Sequence, residues 1–222
     1  MELISVMPIH LKSNTLTAAT IAFALSVSPI IKASECFNPS PHHQKSKDTF
    51  QPIESKKLTY SENKTLKSIF KHMDGRWTGT ATGFFCMGTD KTPREKPDSY
   101  IIQEMEVDTN SSGDLVLSAQ LLSETKETSR QENMRLFISS GILRVGQNSK
   151  SGDTSLDSAA KNKIVFTQKY RIPTRQGGKI KGSIAQEIIR TIHASRSSMT
   201  IEYNVYTQGV LSSKSVWKLR KK

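Results

Sequence analysis

The sequence lacks most of the features that give a protein away quickly. Among its 222 residues it has only two cysteines, Cys36 and Cys86, so no dense disulfide framework holds it together. A chain of this length has no need of one, because it can bury a hydrophobic core of its own. No apolar run reaches the roughly 18 residues of a membrane span, which excludes a polytopic membrane protein. There is no C-x-x-C, H-E-x-x-H, G-x-S-x-G, P-loop or G-x-G-x-x-G. The zinc, serine-hydrolase, nucleotide and dinucleotide chemistries that those spacings serve are therefore unsupported. Two S-x-x-K strings, Ser68–Lys71 and Ser123–Lys126, lack the surrounding scaffold of a serine acyl-transferase and read as chance matches. His42, His43, His72 and His193 are not set at metal-ligand spacing. No cofactor and no metal are expected, and an enzyme is the less favoured reading.

Acidic residues are also scarce, but only in one place. The formal net charge is +12. Residues 161–222 hold 14 Lys/Arg against Glu187 and Glu202 alone, while residues 34–160 are close to neutral. A uniformly basic protein would not be divided in this way.

The first 33 residues read as a secretory signal peptide. Lys12 supplies the positive region, an apolar stretch runs from Leu16 to Ile31, and Ile31-Lys32-Ala33 offers a cleavage site before Ser34. Thr15, Thr17, Thr20, Ser26 and Ser28 make the stretch too polar for a comfortable anchor. The mature chain is then secreted or periplasmic, with no membrane span after cleavage. In an exported chain, Cys36 and Cys86 suggest one disulfide closing a loop of about 50 residues. Without export they are two separate thiols.

Residues 34–60 read as a flexible tether broken by Pro39, Pro41 and Pro52. Leu66, Ile69, Phe70 and Met73 then make one apolar stripe of a helix over 61–73, with Ser61 as N-cap and Gly75 at its end. After Gly75 the period changes to two. Alternation is visible over 77–86, 101–108, 115–121, 134–138, 142–145, 164–170, 199–205 and 213–219. Ile184, Ile188 and Ile192 fit a helix as well as a strand, and their β-branching favours the strand. Residues 146–162 read as a polar surface insertion. The pattern predicts an all-β antiparallel barrel of 8–10 strands over 61–222, preceded by one short helix.

Gly75-Arg76-Trp77, leading from a helix into the first strand, resembles the start of the lipocalin-like (calycin) barrels. The resemblance covers this Gly-x-Trp start and the all-β pattern. It implies that Trp77 closes the barrel floor beneath a basic residue from the end of the barrel, for which Arg220 is a candidate among several C-terminal bases. It further implies an interior that holds a small apolar or anionic ligand. If Trp77 faces in, parity brings Gly79, Ala81 and Gly83 to the same side, where small residues leave volume. Met105, Leu117, Phe166, Tyr170, Met199, Tyr203 and Val205 would line it, with Gln103 and Gln168 placed to orient a polar head. These side chains could equally fill the core.

The basic third allows a second reading. Lys163, Lys169 and Arg171 fall on the face opposite Ile164, Phe166 and Tyr170, and with Lys179 and Lys181 they predict a basic outer face. Such a face attracts an acidic partner, a polyanion or an anionic envelope surface. Nucleic acid is not expected, because there is no aromatic–basic motif of the RNA-binding type and an exported chain rarely meets it. The alternative is a solvated surface balanced by acids such as Glu104, Glu106 and Asp108.

Overall fold

The computed structural model describes residues 34–42, 54–125, 128–146 and 153–222. The leader expected over residues 1–33 lies outside them. The elements run α1 (Tyr60–Met73), β1 (Gly75–Thr89), β2 (Thr92–Thr109), β3 (Leu115–Ser123), β4 (Ser129–Ser139), β5 (Ile142–Val145), β6 (Asp153–Ala160), β7 (Lys163–Gln176), β8 (Lys179–Ala194), β9 (Ser198–Thr207) and β10 (Val210–Lys221). All ten strands form one antiparallel sheet in the order β5-β4-β3-β2-β1-β10-β9-β8-β7-β6. The sheet curls until β5 and β6 lie side by side without ladder pairing, so the barrel is nearly closed. The all-β barrel behind one short helix is thus the observed fold. Residues 184–192 are strand, within β8.

Thr59, not Ser61, caps the helix. Its hydroxyl accepts from the Glu62 backbone N–H, while the Glu62 carboxylate accepts from the Thr59 backbone N–H at 2.7 Å. This reciprocal capping box needs an acid three residues on. Thr59 has one in Glu62, whereas Ser61 has Lys64 there. Those hydrogen bonds to Thr59 hold Glu62 below its usual value. Leu66, Ile69, Phe70 and Met73 are buried and join the barrel core with Trp77, Met105, Leu117, Met199 and Leu219. The helix therefore closes one end of the barrel. Trp77 locks the junction, since its indole N–H donates to the Met73 carbonyl at 2.7 Å.

Two local irregularities re-aim side chains. A β-bulge in β2 between Ile102 and Glu104 adds a residue opposite β1 and β3, which breaks the alternation. Ile102 is buried and Gln103 is exposed, so Gln103 does not face the interior as strict parity implied. At Gly79 a Cβ would lie 2.0 Å from the Lys218 carbonyl oxygen, and at Gly83 2.1 Å from that of Lys214. These glycines let β1 and β10 approach closely where the sheet bends, and they do not serve to leave interior volume.

The insertion expected over 146–162 contains β6, which pairs with β7 from Asp153↔Lys169 to Ala160↔Lys163. Its small polar residues hid a strand, because β-propensity says little where the partner strand supplies the pairing.

Residues 34–42 have no regular structure, yet they run along the outside of the barrel. Cys36 is bonded to Cys86 on β1, with Cα atoms 5.4 Å apart. Glu35 accepts from Lys214 at 2.8 Å. The backbone pairs with the β9–β10 turn through Phe37 N–H to Leu211 O and Ser40 N–H to Gly209 O. Finally, Glu187 on β8 accepts from the Ser40 hydroxyl at 2.7 Å and lies 2.7 Å from His42 Nδ1. This strap crosses the outer surface from β1 to β8.

Candidate ligand site inside the barrel

The two halves of the interior differ. At the helix end the inward side chains are fully buried: Trp77, Met105, Leu117, Ile192, Met199 and Ile201 belong to one core cluster with the buried side chains of α1. Four of the residues expected to line a cavity (Trp77, Met105, Leu117 and Met199) therefore belong to this packed half. Gly79 sits at the β1–β10 close approach.

Towards the other end, where the β1–β2, β7–β8 and β9–β10 turns lie, the same inward face becomes polar and solvent reaches it. Gln186, Ile188 and Arg190 on β8 and Tyr203 and Val205 on β9 are all only part-buried. We call this end the mouth. The register explains the cluster it holds. Phe166 on β7 stands opposite Arg190 on β8, and Arg190 stands opposite Tyr203 on β9. One ladder thus places a guanidinium between two rings, 5.9 Å from the Phe166 centroid and 5.5 Å from that of Tyr203. Tyr203 continues the row to Trp217, with centroids 5.4 Å apart. One step nearer the mouth, Arg190 Nη1 donates to Gln168 Oε1 at 2.9 Å, and the Tyr170 hydroxyl donates to Gln186.

The electrostatics are unusual for an interior. No carboxylate lies within 4 Å of Arg190 among the described residues, and its buried Nε has no hydrogen-bond partner. Leaving such a donor unsatisfied costs about 1–3 kcal/mol. Burial pulls the Arg190 guanidinium below its usual value, yet an arginine stays cationic in a protein. Burial pushes Tyr203 up to about 12, so it remains a neutral phenol. Tyr170 is raised by the same cause. Across the barrel, Arg130 and Glu132 on β4 pair at 3.0 Å, and Arg130 lies 4.8 Å from the Tyr100 ring centroid. That pair neutralises itself. Glu132 of that pair still acts on Arg190 against the pull of burial, but Arg190 has no ion-pair partner among the described residues.

Of the expected lining residues, Phe166, Tyr170 and Tyr203 come together here, and Gln168 joins them. Arg190 is the member that sequence reasoning did not single out. The available signal was its place between Ile188 and Ile192 on a face of isoleucines. The basic partner of Trp77 is Lys221, with Nζ 5.3 Å from the ring centroid, and not Arg220. The ladder sets Lys221 opposite Trp77, whereas exposed Arg220 stands opposite Thr78 on the outer face.

The basic outer face is discontinuous. Lys163 lies at the helix end of β7. Lys169 is largely covered, 4.0 Å from buried Glu187. Arg171, Lys179 and Lys181 are exposed near the mouth. Glu104 and Glu106 do not balance these bases, because they face Arg76 at 4.0 and 3.8 Å on the other side of the barrel. An outer groove of about 420 Å³ lies beside them, lined by Ser118, Gln120, Arg130 and Gln131 among others. It is open and polar, and its charged groups are already paired.

Among the described residues no helix is long and apolar enough to cross a membrane. No protein-family model and no curated protein matches the chain. Among solved structures it is similar to an acyl-CoA thioesterase II, TesB2, from Mycobacterium marinum, at 8% identity over 65% of this chain and 80% of that one, with a TM-score of 0.22. A likeness that weak specifies neither fold nor activity.

Proposed function

We propose that this chain is an exported, lipocalin-like binding protein that holds a small amphiphilic anion in the mouth half of its barrel. The observation that carries the reading is Arg190, an inward guanidinium between Phe166 and Tyr203 with an unsatisfied Nε and, among the described residues, no ion-paired carboxylate. An anionic head on Arg190 would satisfy that donor, and charge-assisted hydrogen bonds of this kind are about twice as strong as neutral ones. Tyr170, Gln168 and Gln186 supply polar neighbours, and Phe166, Tyr203 and Trp217 supply rings for an apolar body. The Cys36–Cys86 disulfide supports export, since such bonds persist in oxidising compartments.

The test uses a pair of fluorescent probes, anilinonaphthalene sulfonate and its uncharged counterpart phenylnaphthylamine. The sulfonate is expected to bind at one saturable site with energy transfer from tryptophan. Arg190→Gln should weaken it about tenfold to a hundredfold, the value of one charged hydrogen bond, while affecting the neutral probe far less. A melting curve checks that the variant is folded. Equal loss for both probes, or none for either, rejects Arg190 as the anchor.

A further inference from the structure

We infer that the β7–β8 hairpin is a docking finger for an anionic lipid surface. This does not depend on what the barrel holds. The register isolates the hairpin. On one side β6 pairs with β7 no further than Lys169, and on the other β9 pairs with β8 no further than Gln186. Among the described residues, positions 172–184 pair by backbone only within this hairpin, which is anchored at its base by the Gln208 N–H to Ala185 O bond and extends past the mouth as a two-stranded ribbon. Such a ribbon gains little stability from its own ladder, so packing does not explain its length.

Its composition suits a charged apolar boundary. Arg171, Arg175, Lys179 and Lys181 lie on it, and no Asp or Glu occurs between Lys163 and Gln186. Arg175, Lys179 and Lys181 make no ion pair among the described residues. Flanking these bases, Ile172 is 40% exposed and Ile180 65% exposed. Isolated lysines at a sheet edge would serve only to keep edges apart, but they do not require exposed isoleucines beside them. Bases next to bare aliphatic side chains match the headgroup and acyl layers of an anionic membrane. A single-stranded nucleic acid would call for aromatic stacking, and residues 171–185 contain no aromatic side chain.

A second ribbon strengthens the argument. Beyond Phe85↔Ser213 and Tyr100↔Ser123, β1 and β2 pair with no other strand among the described residues, though the strap is bonded to Cys86 and Glu95, and the hairpin carries Phe85 at 44% and Met87 at 51% exposure. Four of the seven exposed large apolar side chains among the described residues thus sit on the two hairpins at the mouth end. Docking on both tips would turn the mouth towards the lipid.

Vesicle co-sedimentation of the full chain tests this. Vesicles of roughly one-third phosphatidylglycerol in phosphatidylcholine should retain the protein at low salt, and pure phosphatidylcholine should not. Lys179→Ala/Lys181→Ala should lose about 25-fold in affinity, about fivefold per charge. Ile180→Ser should lose about fivefold. Lys218→Ala/Lys222→Ala removes the same charge at the helix end and should leave binding within about twofold. These positions are exposed, and circular dichroism confirms that each variant is folded. Several outcomes overturn the inference: no retention on either vesicle, equal retention on both, equal loss in the helix-end control, or indifference to Ile180. Tighter capture by duplex DNA than by lipid also overturns it.

Discussion

At the residue scale, Arg190 and Tyr203 set the chemistry of the interior. They face each other across one β8–β9 ladder pair, and burial acts on both in the direction that disfavours charge. For Tyr203 this gives a prediction about alkaline stability. Its folded value is about 12 against an ordinary 10.0, so the fold favours the protonated phenol. Below pH 10 both states are protonated and the contribution is complete. Between pH 10 and 12 the unfolded chain loses the proton that the folded chain keeps, and stability falls. The loss from this group is on the order of 2–3 kcal/mol. Denaturant melts at stepped pH should show the decline in the natural protein and a shallower one in Tyr203→Phe. Identical slopes would mean that Tyr203 is not held as a buried phenol.

At the element scale, β1 and β10 decide how the barrel closes. The atoms that a Cβ at Gly79 would meet are all backbone of Lys218 and Leu219 on β10, so no side chain can swing away to make room. Gly79→Ala must separate the two strands, at about 3 kcal/mol. Thr80→Ala, exposed on the neighbouring position, should cost less than about 0.5 kcal/mol. Equal melting temperatures for the two variants would contradict the close approach. Strand alternation was the most readable part of the sequence. Residues 115–121 and 199–205 alternate because Leu115, Leu117, Ala119 and Leu121 on β3 and Met199 and Ile201 on β9 are buried in the core, while the residues between them are more exposed. The failures have particular causes. The β2 bulge adds one residue and reverses parity at Gln103. β6 has no hydrophobic alternation strong enough to separate it from a loop. Gly79 was legible as a small residue, but its reason is a backbone 2.0 Å away that belongs to a strand about 140 positions later.

For the whole molecule, the strap and the charge distribution matter most. Residues 34–42 tie β1, β10, the β9–β10 turn and β8 together from outside, and the Cys36–Cys86 bond makes one of those ties covalent. The bond spans 50 positions, which in the chain-entropy account corresponds to about 4 kcal/mol. Cys36→Ser/Cys86→Ser should lower the unfolding free energy by about 2–4 kcal/mol, measured by urea titration. It should also raise hydrogen exchange at the Phe37 and Ser40 amides before that of the barrel core. No change in either measurement would show that the strap is held by its hydrogen bonds alone. The basic excess gains a location as well. Residues 161–222 span β7 to β10, four adjacent strands, so the charge is confined to one side of the barrel.

Several properties follow from the sequence alone: the helix-then-strands order, the location of most strands, the pairing open to two cysteines, and the confinement of the net positive excess to the last third. Each is a local or compositional property, set by periodicity, capping residues or counting. The tertiary structure decided the rest. It divided the interior into a packed half and a polar half, because α1 fills only one end of the barrel. It chose Lys221 over Arg220 for Trp77, because ladder register and not sequence order sets what stands opposite a ring. It gave Arg190 its meaning, because a base reads as surface until three strands place rings on both sides of it.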